Sequence, residues 1–128
     1  MKTVKALHQQ SMDLAESATL KQQQDQVEDA RELWQRAFEL ETQAAALLAN
    51  EWNAEPTRSV LHRSAATLAL RCNEVPVAER LVVTALMGHP PEEIAVELRD
   101  LFVQINLRSF LQRQGIEMSE LPSRLQGV

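Results

Sequence analysis

The chain has 128 residues, about the length of one compact domain, and a formal net charge of −5. This acidic balance disfavours nonspecific nucleic-acid binding, which needs a basic surface. No stretch approaches the roughly 20 apolar residues of a membrane-spanning helix, and the N-terminal residues lack the apolar core of a signal peptide. The single cysteine, Cys72, cannot form an intrachain disulfide and is typical of a reducing compartment. We therefore expect a cytoplasmic protein that binds neither nucleic acid nor membrane.

The composition favours an all-α fold. Alanine, leucine, glutamine and glutamate are abundant, and these residues are good helix formers. No run of alternating β-branched and aromatic residues indicates a strand. We expect one helical-repeat domain over residues 1–128, made of two antiparallel helical hairpins and a C-terminal capping helix.

The first hairpin is predicted over residues 4–50. An apolar stripe at helical spacing begins at Val4 and Leu7, and a second stripe begins at Val27. Continuing the first stripe would place Asp25 and Glu28 on the core face, so the helical phase must break near residues 24–26. One continuous helix through residue 50 is the alternative, because no glycine or proline marks the turn. The acidic residues of the second helix are interpreted mostly as a solvated face: Glu28, Asp29, Glu32, Glu39 and Glu41.

The second hairpin is predicted over residues 57–91. Thr57 or Ser59 is a candidate cap for its first helix, which should end near Asn73, a residue that tolerates the left-handed conformation. Pro76 fits the first turn of the next helix, where a missing N–H costs nothing. The end of that helix is predicted by Gly88 and the two prolines that follow. Residues 92–114 are then predicted as a capping helix. Residues 115–128 form a tail. The sequence leaves three alternatives for it, which are loose docking on the domain, partial disorder and a short helix.

Small residues recur in the two hairpins at the same spacing. Ala66, Ala78 and Ala85 are separated by 12 and 7 residues, as are Ala18, Ala30 and Ala37, which lie 48 residues earlier. With Pro90 after the last alanine, this pattern resembles the tetratricopeptide repeat, a helical hairpin of about 34 residues. The leading Trp-Leu-Gly-Tyr signature of that family is absent. A generic helical hairpin is the alternative.

The resemblance implies a right-handed array whose first helices line a concave, partner-binding groove. The positions that would face a ligand are Arg63, Thr67 and Arg71, with Ala15, Thr19 and Gln23 as their counterparts in the first hairpin. Two arginines on one groove wall can bind the carboxylates of an acidic segment or a C-terminus. The alternative is that both arginines form internal ion pairs, for example with Glu97 or Asp100. Arg58 fits either group.

No catalytic or cofactor-binding pattern is present in the sequence. His8, His62 and His89 lie on different predicted elements without metal-ligand spacing, and Cys72 is more typical of a small buried residue than of a nucleophile. We therefore expect no metal, no cofactor and no enzymatic activity. The leading hypothesis is a noncatalytic protein–protein interaction adaptor. The alternative is a self-associating helical module, with a homodimer as one form, that uses Trp52, Phe110 or a terminal hairpin face. The two aromatic residues could instead pack on their own domain.

Overall fold

The structure, a computed structural model, describes residues 2–123. All of the regular secondary structure in these residues is helical. The described residues form five α-helices, α1 (Lys2–Gln23), α2 (Val27–Leu48), α3 (Thr57–Arg71), α4 (Val75–Leu86) and α5 (Glu92–Arg113), and a short 3-10 helix covers Met118–Glu120. No strand occurs among the described residues. The prediction of an all-α fold with two hairpins and a closing helix is confirmed.

The first hairpin turns between α1 and α2 at a left-handed residue. Asp25 has a φ of 61°, and the N–H of Gln26 donates to the carbonyl of Lys21 at 2.9 Å. Aspartate is one of the few non-glycine residues that adopts this conformation at modest cost, which explains a turn without glycine. The predicted phase break is therefore correct, and the single continuous helix is wrong. Across the hairpin, the buried Ser11 hydroxyl donates to the carbonyl of Ala37 at 2.8 Å.

The second hairpin turns at Asn73, whose φ of 60° confirms the predicted left-handed helix end. Pro76 lies in the first turn of α4, as predicted. The start of α3 differs from the expectation, because neither Thr57 nor Ser59 supplies the cap. Instead the Glu55 carboxylate accepts hydrogen bonds from the Ser59 N–H at 3.0 Å and from the Ser59 hydroxyl at 2.8 Å.

The core lies where the hairpins meet and is built largely from small residues. All six alanines of the repeated spacing are buried: Ala18, Ala30, Ala37, Ala66, Ala78 and Ala85. Small side chains allow the helix axes to approach closely, and larger residues such as Phe38 and Val82 fill the space between them. The helix α5 packs on α4 and α3 and covers this core with Ile94 and Leu98.

The end of α5 is a glycine-terminated turn. Gly115 has a φ of 75°, and the N–H of Ile116 donates to the carbonyl of Leu111 at 2.9 Å. This is the hydrogen bond of a Schellman motif, which confirms the predicted helix end. Of the predicted tail, residues 124–128 lie outside the described part of the chain. None of the described helices combines the length and the apolar character needed to cross a membrane.

Candidate partner-binding clefts

A fully buried arginine joins the ends of two helices. Arg58, in the first turn of α3, donates from Nε and Nη2 to the carbonyl of Ala49 at 3.0 and 2.9 Å. The same guanidinium donates to Thr84 O at 2.8 Å and to Ala85 O at 3.3 Å. These carbonyls lie at the C-terminal ends of α2 and α4, where the helix dipoles favour positive charge. Arg58 is therefore an architectural residue and is not available to a partner.

The indole of Trp52 covers this buried arginine. Its ring lies 4.6 Å from Cζ of Arg58, although the side chain remains partly exposed. Gly88 lies next to both side chains, and a Cβ atom at this position would lie against Nη1 of Arg58. Trp52 thus contacts its own domain through one face, the role that the sequence analysis gave as the alternative to partner binding.

Arg63 and Thr67 line a shallow cleft of about 270 Å³ between α3 and α5. The Arg63 guanidinium donates to Glu97 Oε2 at 3.0 Å, and both side chains are accessible to solvent. The Thr67 hydroxyl donates to the carbonyl of Arg63 within the same helix. The internal pairing with Glu97 that the sequence suggested as an alternative is therefore formed by Arg63.

Arg71 lies in a different cleft, of about 400 Å³, at the turn end of the first hairpin. Its Cζ atom lies 4.2 Å from the ring of Trp34, and among the described residues no carboxylate is within ion-pair distance. The Trp34 indole N–H donates to Gln22 Oε1 at 3.2 Å, which fixes the ring that carries the guanidinium. Val27 and Arg31 line the same cleft. We call this the Trp34–Arg71 cleft.

The two predicted residues of α1 are close to solvent. The Thr19 hydroxyl donates to the carbonyl of Ala15 at 3.0 Å, and Gln23 is the exposed last residue of α1, next to Gln22 on the wall of the Trp34–Arg71 cleft. The predicted ligand-facing residues are thus divided between two clefts. Arg63 and Thr67 face α5, whereas Arg71 faces α2.

Cys72 borders the Trp34–Arg71 cleft but is not activated. Burial, followed by the negative charge of Glu74, raises the pKa of the thiol. A raised pKa keeps the group in its weakly nucleophilic protonated form. The interpretation of this residue as a small packed side chain is in keeping with that chemistry.

A buried acid and a half-exposed histidine form a second polar feature, which the sequence analysis missed. Glu41 is fully buried on α2, and both of its carboxylate oxygens lie 3.0 Å from Nδ1 of His8. His8 lines an apolar cleft of about 420 Å³ between the N-terminal ends of α1 and α3. The placement of Glu41 on a solvated face was wrong. Its spacing from Ala37, Ala44 and Ala45 puts it on the apolar side of α2, and that signal could have revealed it.

His62 is buried on α3 and donates a hydrogen bond to the backbone. Its Nδ1 lies 2.7 Å from the carbonyl of Arg58, so the proton of the neutral ring is on Nδ1. Burial is the main cause that lowers the pKa of this imidazole. In the part of the chain that the structure describes, no three potential ligands among histidine, cysteine, aspartate and glutamate are grouped to hold a metal ion.

The fold and these clefts define a small all-helical protein of two hairpins and a closing helix. Comparisons of the chain with protein-family models, with curated proteins and with solved structures gave no match.

Proposed function

We propose that the protein is a noncatalytic cytoplasmic adaptor that binds an acidic segment of a partner protein, in the manner of the tetratricopeptide proteins that its alanine pattern resembles. The observation that supports this proposal is the arrangement of Arg71. Its guanidinium lies on the Trp34 ring, at the edge of an open cleft, without a carboxylate partner in the described part of the chain.

This arrangement suits the recognition of a carboxylate. Stacking on an aromatic ring orients a guanidinium but does not neutralise its charge, and its N–H groups remain directed at the surroundings. A carboxylate can then accept two parallel hydrogen bonds from one guanidinium. Arg31 adds a second positive charge to the same cleft, and its own pairing with Glu28 is exposed and therefore weak.

The remaining predicted residues take supporting roles in this proposal. A partner carboxylate at Arg63 has to compete with Glu97, which already accepts a hydrogen bond from it. Arg71 is therefore expected to contribute more to affinity than Arg63. Thr67 extends the surface along α3, and Thr19 and Gln23 extend it along α1.

Trp34 offers a direct test, because its fluorescence reports on the cleft itself. In a Trp52→Phe background it is the only tryptophan. Short glutamate-rich peptides with a free C-terminus would be titrated into this protein, alongside the matched glutamine peptides with an amidated C-terminus. We expect saturable quenching or a spectral shift with the acidic peptides only.

The matched variants are Arg71→Gln and Arg63→Gln. Loss of one charge-assisted contact is worth about 1.5–3 kcal/mol, so Arg71→Gln should weaken binding roughly 10- to 100-fold. Arg63→Gln should have the smaller effect. Binding that is equally strong to the glutamine peptides, or that survives Arg71→Gln unchanged, would refute the proposed site.

A further inference from the structure

The closing helix α5 carries an apolar stripe on the side away from the core. Val96, Val103 and Phe110 are 44%, 57% and 49% exposed, whereas Ile94 and Leu98 are buried against the hairpins. The three exposed residues are spaced by seven positions, which places them on one side of an α-helix. A row of large apolar side chains on a terminal helix is typical of an interaction surface. We call these three residues the α5 stripe.

A polar row follows the α5 stripe at the same interval. Glu92, Arg99, Asn106 and Arg113 are also spaced by seven residues and flank the stripe along one side. The row is acidic at the start of the helix and basic at its end. Within one copy, Nη1 of Arg99 lies 3.6 Å from Oε1 of Glu92, and both side chains are exposed.

We propose that α5 pairs with α5 of a second copy in an antiparallel manner, with the two-fold axis at Val103. Val96 and Phe110 are equally distant from Val103 along the helix. The symmetry therefore places Val96 opposite Phe110 of the second copy and Val103 opposite its own equivalent. A small residue faces a large one on each side of the axis, which is the self-complementarity that a two-fold interface requires.

The charges distinguish this orientation from a parallel one. In the antiparallel pair, Glu92 of each copy lies at the level of Arg113 of the other, and Arg99 lies at the level of Asn106. In a parallel pair, the row would instead face the other flank of the partner's stripe. Arg99 would then meet Asp100, but Glu92 would meet Glu93 with like charge. Arg113 would lie opposite the uncharged Gln114 and lose the acidic partner that it has in the antiparallel pair. The antiparallel arrangement also opposes the two helix dipoles.

The pairing is independent of the proposed partner site. The helix α5 contributes no residue to the Trp34–Arg71 cleft, so both surfaces can be occupied at once. A single pair of helices is at the small end of specific interfaces, and the dimer is therefore expected to depend on protein concentration in the micromolar range.

Sedimentation velocity of the full chain over a series of concentrations tests the dimer. The wild-type protein should shift towards twice the monomer mass as its concentration rises. Val103→Glu should remain monomeric, because two carboxylates would meet at the axis. The control Val83→Glu changes another exposed valine, on α4, and should dimerise as the wild type does. A wild-type monomer at every concentration, or a Val103→Glu dimer, would overturn the proposal.

Cysteine cross-linking tests the orientation and keeps the proposal open to refutation if Val103→Glu unfolds. In a Cys72→Ser background, Val103→Cys places two thiols at the axis, within the short Cβ–Cβ distance that a disulfide needs. Mild oxidation should then give a covalent dimer with unchanged helical circular dichroism. The matched Val96→Cys and Phe110→Cys proteins should not cross-link. Equal cross-linking at all three positions would indicate a parallel pair, and none at Val103 would exclude this axis.

Discussion

At the scale of single residues, Glu41 is a buried acidic side chain in the first hairpin. A carboxylate that is removed from water needs a partner, and the only hydrogen-bonding partner of Glu41 among the described residues is His8. The pair joins α1 to α2 beside an apolar cleft. Removing one partner of such a pair costs more stability than replacing both partners by apolar groups.

This asymmetry gives the first prediction. His8→Leu should lower the free energy of unfolding by about 1–3 kcal/mol, since the Glu41 carboxylate is left buried without a donor. The double variant His8→Leu/Glu41→Met should recover most of that loss. Urea denaturation of the wild type, both single variants and the double variant measures the coupling. Strictly additive losses would show that the two side chains do not interact.

His62 gives a second prediction, which concerns pH. Burial lowers the pKa of its imidazole in the folded protein, whereas the unfolded chain keeps a value of about 6.5. As the pH falls below that value, the unfolded chain takes up a proton that the folded protein does not, so the folded state loses stability. The loss continues down to the folded-state pKa and is absent at higher pH, where the imidazole is neutral in both states.

The matched variant is His62→Asn, whose amide can still donate to the carbonyl of Arg58. The free energy of unfolding would be followed by urea denaturation between about pH 8 and pH 5, on either side of the unfolded-state value. The decline on acidification should be shallower in His62→Asn than in the wild type. His89→Asn, changed at an exposed histidine, is the control for losing an imidazole. Identical pH profiles for wild type and His62→Asn would contradict this account.

At the scale of elements, the connection from α4 to α5 depends on space around Gly88. A methyl group at this position would lie against the Arg58 guanidinium and 3.4 Å from the Trp52 ring. Nη1 of Arg58 donates to the carbonyl of Ala85 and Nη2 donates to those of Ala49 and Thr84, so the guanidinium cannot move aside without losing hydrogen bonds.

Gly88→Ala should therefore destabilise the protein by about 1–3 kcal/mol, the usual cost of overpacking a filled site. Thermal and urea unfolding would measure the change. Trp52→Ala in addition should relieve part of it, because the indole then no longer closes the site. A Gly88→Ala protein as stable as the wild type would show that the arginine can be displaced at no cost.

Local patterns predicted most element boundaries. Asn73 and Gly115 take the left-handed conformation that their residue types favour, and Pro76 starts α4 because it needs no donor there. The turn at Asp25 was located from the loss of helical phase. The turn forms because Asp25 takes the left-handed conformation. Asp25 lies among other polar residues, so its type alone did not mark it as the turn residue. The cap from Glu55 was not predictable, because it comes from a residue before the helix and from outside the usual capping positions.

At the scale of the whole molecule, Arg58 connects the two hairpins. It belongs to the second hairpin and binds the last turn of α4, but it also binds Ala49 at the end of the first hairpin. The sequence could not reveal this role. Arg58 and Arg63 are alike in type and lie in the same helix, and only the tertiary arrangement decides that one is buried and the other is exposed to solvent.

This difference can be measured directly. Arg58→Met should lower the free energy of unfolding by about 3–5 kcal/mol, because three carbonyl groups at the ends of α2 and α4 lose their charged donor. Arg63→Met removes a solvent-accessible ion pair and should cost at most about 1 kcal/mol. Equal effects in urea denaturation would refute the assignment of Arg58 as the anchor between the hairpins.

The same tertiary arrangement divides the predicted partner-binding residues between two clefts. Arg63, Thr67 and Arg71 are four positions apart along α3, which placed them on one edge of a helix. The structure has α5 beside the first two and α2 beside the third, so one edge becomes two clefts. The periodicity places the three residues on one edge of α3, but it contains no information about which neighbour lies against each turn.

The burial of Arg58 has a consequence for experiments at different ionic strengths. Mobile ions screen charges that they can approach, and the Arg58 guanidinium between the ends of α2 and α4 has no exposed surface. The guanidinium of Arg71 lies at an open cleft, where chloride competes for it. Added salt should therefore weaken the binding of an acidic ligand and leave the two hairpins packed together. The salt dependence of ligand binding can then be measured without unfolding the protein.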